Sequence, residues 1–130
     1  MELHYPTGER IGNIITAPDY QRGLSISNNN LGNLAIASRD SATAEQHYRT
    51  ALSITERLAA ADPDNAQYQH DLSISNSKLG DLAIVSGDSA TAEQHYRTAL
   101  SITERLAAAD PDNAQYQHGL SVSHHRLNAT

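Results

Sequence analysis

The stretch from Tyr20 to Gln67 is written out a second time from Tyr68 to Gln115, at an offset of 48 residues and with 41 of the 48 positions identical. A third copy opens at Tyr116 and continues to Thr130. Self-similarity at a period of a few tens of residues marks a stacked array, in which each unit buries its apolar face only against a neighbour. The repeat therefore constrains the fold before any single residue is considered.

Within the complete second copy, Asp62-Pro63-Asp64-Asn65 is a break, since proline cannot continue a helix and Asp or Asn can cap the next one. From about 66 to 86 the apolar residues Leu72, Leu79, Leu82 and Ala83 fall on one stripe, which predicts a helix, called A. Gly87 stops it and Asp88 caps its successor, helix B, predicted over 89–109 with the stripe Ala92, Tyr96, Ala99, Leu100, Thr103, Leu106 and Ala107. The first copy gives the same pair at 19–38 and 41–61, with an A-helix core stripe at Leu24, Leu31, Leu34 and Ala35. Residues 114–127 supply a lone third A helix. The expected layout is a non-repeat segment over 1–18, repeats over 19–67 and 68–115, and a closing helix over 116–130. Leu24-Ser25-Ile26-Ser27 alternates as a strand would, but the run is four residues long and flows into helical spacing. The Ser- and Asn-rich A helices are poor helix formers by a few tenths of a kcal/mol per residue, so packing against helix B has to hold them.

Leu31-Gly32, Ala44, Tyr48 and Ala51, repeated as Leu79-Gly80, Ala92, Tyr96 and Ala99, resemble the tetratricopeptide repeat, with Pro63 and Pro111 after helix B. Two features depart from that family. The period is 48 rather than 34, and Ala35 and Ala83 stand where the family favours Tyr. The resemblance implies an all-α, right-handed superhelical array of antiparallel helix pairs, A-B-A-B plus the closing helix. It also implies protein–protein scaffolding without catalysis, with a peptide or protein segment held in a groove lined by the A helices.

The seven differences between the copies are Arg22/His70, Gly23/Asp71, Asn29/Ser77, Asn30/Lys78, Asn33/Asp81, Ala37/Val85 and Arg39/Gly87. All lie in helix A or at its ends, and positions 29, 33 and 37 form one ridge. The groove candidates are Ile26, Asn29, Asn33, Ile36 and Ala37 from the first copy. The second copy adds Ile74, Ser77, Lys78, Asp81, Ile84 and Val85, and the last helix adds Val122, His125 and Arg126. Some members of the family clamp a peptide carboxylate on this face. Here Asn33 and Arg126 match that set, but Lys78 stands where Asn is wanted and Val122 where Lys is wanted, so the set is incomplete.

The remaining features narrow the function further. The net charge is −6, and the bases are scattered singly, so no basic stripe suits nucleic acid. There is no Cys, and no apolar run of membrane-spanning length or signal pattern, which favours the cytoplasm and no membrane partner. His47 and His95 are one per repeat, and the adjacent His124 and His125 diverge by about 100° on a helix, so neither pair suits a metal. No cofactor, metal or catalytic set is expected. Two repeats and a closing helix make a short stack, and near-identical copies present near-identical edges. Self-association, head-to-tail or by exchange of helices, is the alternative function. Ile11, Ile14 and Ile15 could cover the first helix or pack on a neighbour.

Overall fold

The computed structural model describes residues 14–130, in which five helices follow one another: α1 (Pro18–Ala37), α2 (Ser41–Ala61), α3 (Ala66–Val85), α4 (Ser89–Ala109) and α5 (Ala114–Ala129). A short helical turn at 14–16 precedes them, and no strand occurs among the described residues. The protein is all-α, and the strand-like run at 24–27 lies inside α1. Helices α1, α3 and α5 are the A helices of the sequence reading, and α2 and α4 are the B helices. Each helix packs chiefly on the ones before and after it.

The boundaries follow from local chemistry. Asp40 and Asp88 accept the backbone N–H of Thr43 and Thr91 at 3.1 Å, and each carboxylate also takes the threonine hydroxyl at 2.6 Å. Asn65 and Asn113 cap α3 and α5 in the same manner. At the end of α3, Gly87 has φ 78°, its N–H bonds to Ile84 O at 3.0 Å, and the Asp88 N–H bonds to Ala83 O at 2.8 Å. This is a Schellman closure. The same two bonds close α1, but there the left-handed residue is Arg39, at φ 60°.

The core lies between consecutive helices. Ala35, Ala44, Tyr48, Leu79 and Leu82 form one cluster, with Ala83, Ala92 and Tyr96 forming the next. The glycine of each Leu-Gly pair lies under the tyrosine of the following helix. A Cβ on Gly80 would stand 2.5 Å from Tyr96 Cε1, and Gly32 is covered by Tyr48 in the same way. The small residue is what lets the two helices close to this distance. The B-helix stripe is as read except at two places. Leu100 is only half-buried, and Ile54 and Ile102, absent from the stripe, are 4% and 3% exposed. Ile102 lies beside Pro63, Ala66 and Gln69 at the start of the preceding A helix, a contact that the pattern within one helix does not reveal.

The serines and asparagines of the A helices prove to be packing residues. Ser25 and Ser73 are buried and donate to the carbonyls of Arg22 and His70 at 2.7 Å. Asn76 Nδ2 donates to Leu72 O at 3.0 Å, which leaves its Oδ1 to accept from His95 Nδ1 at 3.0 Å. Asn28 joins Leu24 O to His47 in the same way. Four of the residues that weaken an isolated helix thus bond to its backbone carbonyls, and two of these also to a histidine of the next helix.

The expected core stripe of the first copy is only partly core. Leu31 and Leu34 are 46% and 64% exposed, whereas their counterparts Leu79 and Leu82 are 4% and 6% exposed. Ser27 is exposed and its counterpart Ser75 is fully buried. The reason is positional. Helix α2 lies against this face of α3, while among the described residues no helix lies against the same face of α1. Ile14 and Ile15 are themselves exposed, at 56% and 45%. Residues 1–13, Ile11 included, lie outside the described residues.

Candidate functional site

The three A helices stand side by side along one face, and clefts open between them. The first cleft, about 260 Å³, lies between α1 and α3 and is lined by Ile26, Asn29, Asn30, Asn33, Ile74 and Lys78, with Ser25 and Asp71 at its base. A second, about 220 Å³, continues toward the C-terminal ends of the same helices, between Asn33, Ile36, Tyr48, Lys78, Asp81, Leu82 and Val85. The third, about 240 Å³, lies between α3 and α5, with Ile74, Ser77, Lys78 and Asp81 on one wall and Val122 and Arg126 on the other. Eleven of the fourteen candidates therefore converge on this face: Ile26, Asn29, Asn33, Ile36, Ile74, Ser77, Lys78, Asp81, Val85, Val122 and Arg126. Ala37 does not. It is exposed at the last turn of α1, past the end of the clefts. Ile84 and His125 also fall outside them, both exposed.

Several of these side chains already have partners within the chain. The Tyr48 hydroxyl donates to Asn33 Oδ1 at 2.7 Å, and the Tyr96 hydroxyl donates to Asp81 Oδ1 at 2.6 Å. Burial first, and then the bond to Asp81, push the Tyr96 phenol far above its ordinary range, so it remains a donor. Arg126 Nη2 binds Asp81 Oδ2 at 3.1 Å, and its guanidinium lies 5.9 Å from the Tyr96 ring centre. On the other flank, Arg22 Nε binds Asp71 Oδ2 at 2.7 Å, joining α1 to α3, and Gln67 Nε2 adds a bond to Asp71 Oδ1 at 3.2 Å. These links were missed in the sequence, yet a signal was there. Positions 22, 71 and 81 are among the few that differ between the copies, and the structure couples them across copies. Arg22 and Asp71 are paired novelties of different repeats, and Asp81 meets Arg126 of the third.

Other polar groups on this face are uncommitted. Lys78 lines all three clefts, and among the described residues it has no ion pair or hydrogen bond. Asn29 Oδ1 is buried with no hydrogen-bond partner at the first cleft, and His70 Nδ1 is in the same condition at the third. Burial lowers the His70 imidazole below its ordinary value, so the ring is neutral at pH 7. Asn30, His70 and His118 are lining residues that sequence reasoning did not single out. They lie one turn from the chosen residues on the same helices.

The opposite side offers a contrast. A cleft of about 410 Å³ between α2 and α4 is larger, but its charges are engaged: Glu45 with Arg49 at 2.9 Å, and Asp88 with Thr91. His95 there is bonded to Asn76. Among the described residues no group of three or more His, Asp or Glu is placed to hold a metal ion, and no helix is long and apolar enough to cross a membrane. No protein-family model, curated protein or solved structure matches this chain.

Proposed function

We propose that this chain is a non-catalytic interaction module that holds an extended peptide or protein segment along the face formed by its A helices. The observation that carries this reading is Lys78, an unpaired cation at the junction of three clefts, whereas the charges lining the cleft between α2 and α4 are engaged. Around it, Ile26 and Ile74 offer apolar contact, at 42% and 37% exposure. Asn29 Oδ1 lacks a donor, which a peptide N–H would supply. A fitting segment carries an acidic group for Lys78 and apolar side chains on either side. The close fit of Gly32 under Tyr48 and of Gly80 under Tyr96 supports the likeness to tetratricopeptide arrays, and with it a right-handed superhelical course that makes this face concave.

The test is selection from a displayed peptide library, followed by titration of the enriched sequences. Lys78→Glu and Ile74→Glu change side chains that make no ion pair or hydrogen bond among the described residues, and are expected to weaken binding at least about tenfold with helicity unchanged. Asn33 and Asp81 are unsuitable targets, since each holds a tyrosine hydroxyl. An absence of enriched peptides, or full affinity in both variants, would reject the reading.

A further inference from the structure

One face of α1 has its natural partner inside the same chain. Ser27, Leu31 and Leu34 correspond to Ser75, Leu79 and Leu82 of α3, which are buried against α2. Helix α4 repeats α2 at all 21 positions, SATAEQHYRTALSITERLAAA in both. The surface that receives α3 therefore exists a second time on α4, where α5 occupies it. Helix α5 packs on α4 much as α3 packs on α2, but with a smaller side chain at one place of the contact. Leu127 takes the place of Leu79 against Ala83, Ala92 and Tyr96, but the place of Leu82 falls to Thr130.

We infer that a second copy of this chain docks by laying its α1 on α4 of the first, displacing α5, so that Leu31 and Leu34 become covered as Leu79 and Leu82 already are. No new surface is needed, because the α2–α3 contact within each chain supplies the geometry. The incoming α1 fills the site of Thr130 with Leu34. The Arg126–Asp81 ion pair opposes the exchange, since Asn30 would replace Arg126 beside Asp81. That pair sets the balance between a closed monomer and an open head-to-tail chain of copies. The contact is heterologous, so one end of every assembly stays free to accept another copy.

The test uses the full chain, 14.1 kDa, by light scattering over a concentration series. Mass is expected to rise with concentration. Arg126→Gln is expected to lower the concentration needed for association about fivefold. Leu34→Lys, at a side chain exposed in the monomer, is expected to abolish association with an unchanged melting temperature. The chain has no cysteine, so two single variants locate the contact. Mixing Ser77→Cys with Asn30→Cys and adding a short bis-maleimide is expected to give a mixed cross-linked dimer, because Asn30 of the incoming helix would face α3. A monomer at every concentration overturns the inference, as does an association that Arg126→Gln leaves unchanged, or a dimer without the mixed cross-link.

Discussion

Tyr96 lies across the backbone of Gly80, close enough that one added carbon on the glycine would stand 2.5 Å from Cε1 of the ring. The ring cannot swing away cheaply, because its hydroxyl is bonded to Asp81 at 2.6 Å and Arg126 lies over its face. The glycine is therefore a spacing element between α3 and α4. Gly80→Ala is expected to destabilise the protein by about 2 kcal/mol, even though alanine is the better helix former. Gly23 is the control, since nothing lies within 4 Å of its would-be Cβ and it sits inside α1. Gly23→Ala is expected to stabilise by about 0.5–1 kcal/mol. Urea unfolding of the two variants checks the opposite signs.

The two helix closures differ by one residue. Arg39 is held at φ 60° where its counterpart Gly87 has φ 78°. A side chain in the left-handed region is strained by about 1 kcal/mol, and glycine is not. Arg39→Gly is expected to raise stability by roughly that amount, and Gly87→Arg to lower it similarly, each measured as a shift in urea midpoint at constant m-value.

The Arg22–Asp71 pair joins α1 to α3 with the carboxylate only 10% exposed. Removing the arginine leaves a nearly buried charge with Gln67 as its remaining donor. Arg22→Gln is expected to lose about 1–3 kcal/mol. The double variant with Asp71→Asn is expected to lose less than the sum of the two single changes, by about 1 kcal/mol or more. A thermodynamic cycle from chemical denaturation reads this directly.

Burial holds the His70 and His95 imidazoles below their ordinary value of 6.5, and nearby arginines act in the same direction. Both rings take up a proton more readily in the unfolded chain. The stabilisation from keeping them neutral is thus complete above the ordinary imidazole value and is lost as pH falls through the lower folded values. The cap carboxylates Asp40 and Asp88, lowered by their bonds to Thr43 and Thr91, lose their contribution only further into the acid range. Urea midpoints are expected to fall between pH 7 and 5. His70→Gln and His95→Gln should each flatten that fall.

Much of the architecture could be read from the 48-residue repeat, because helical periodicity, Asp and Asn caps and the Gly and Pro breaks are local signals. The helix limits came out within one or two residues on that basis, with α5 running on to Ala129. The candidate face was also legible, since copy-specific residues in phase on the A helices had to share a side. Its internal economy was not. Nothing local says that Asp81 is shared between Tyr96 and Arg126, or that Arg22 reaches Asp71 across 49 positions.

The sequence by itself determined which segments coil and which of their sides are apolar, for those properties belong to residues a few positions apart. The tertiary structure alone decided which of those sides meets a neighbour. Leu31 and Leu79 are the same residue in nearly the same words of sequence, yet one is 46% exposed and the other 4%. The difference lies in what stands beside them, because burial is a property of a residue's surroundings, and among the described residues a helix covers this face of α3 but not of α1.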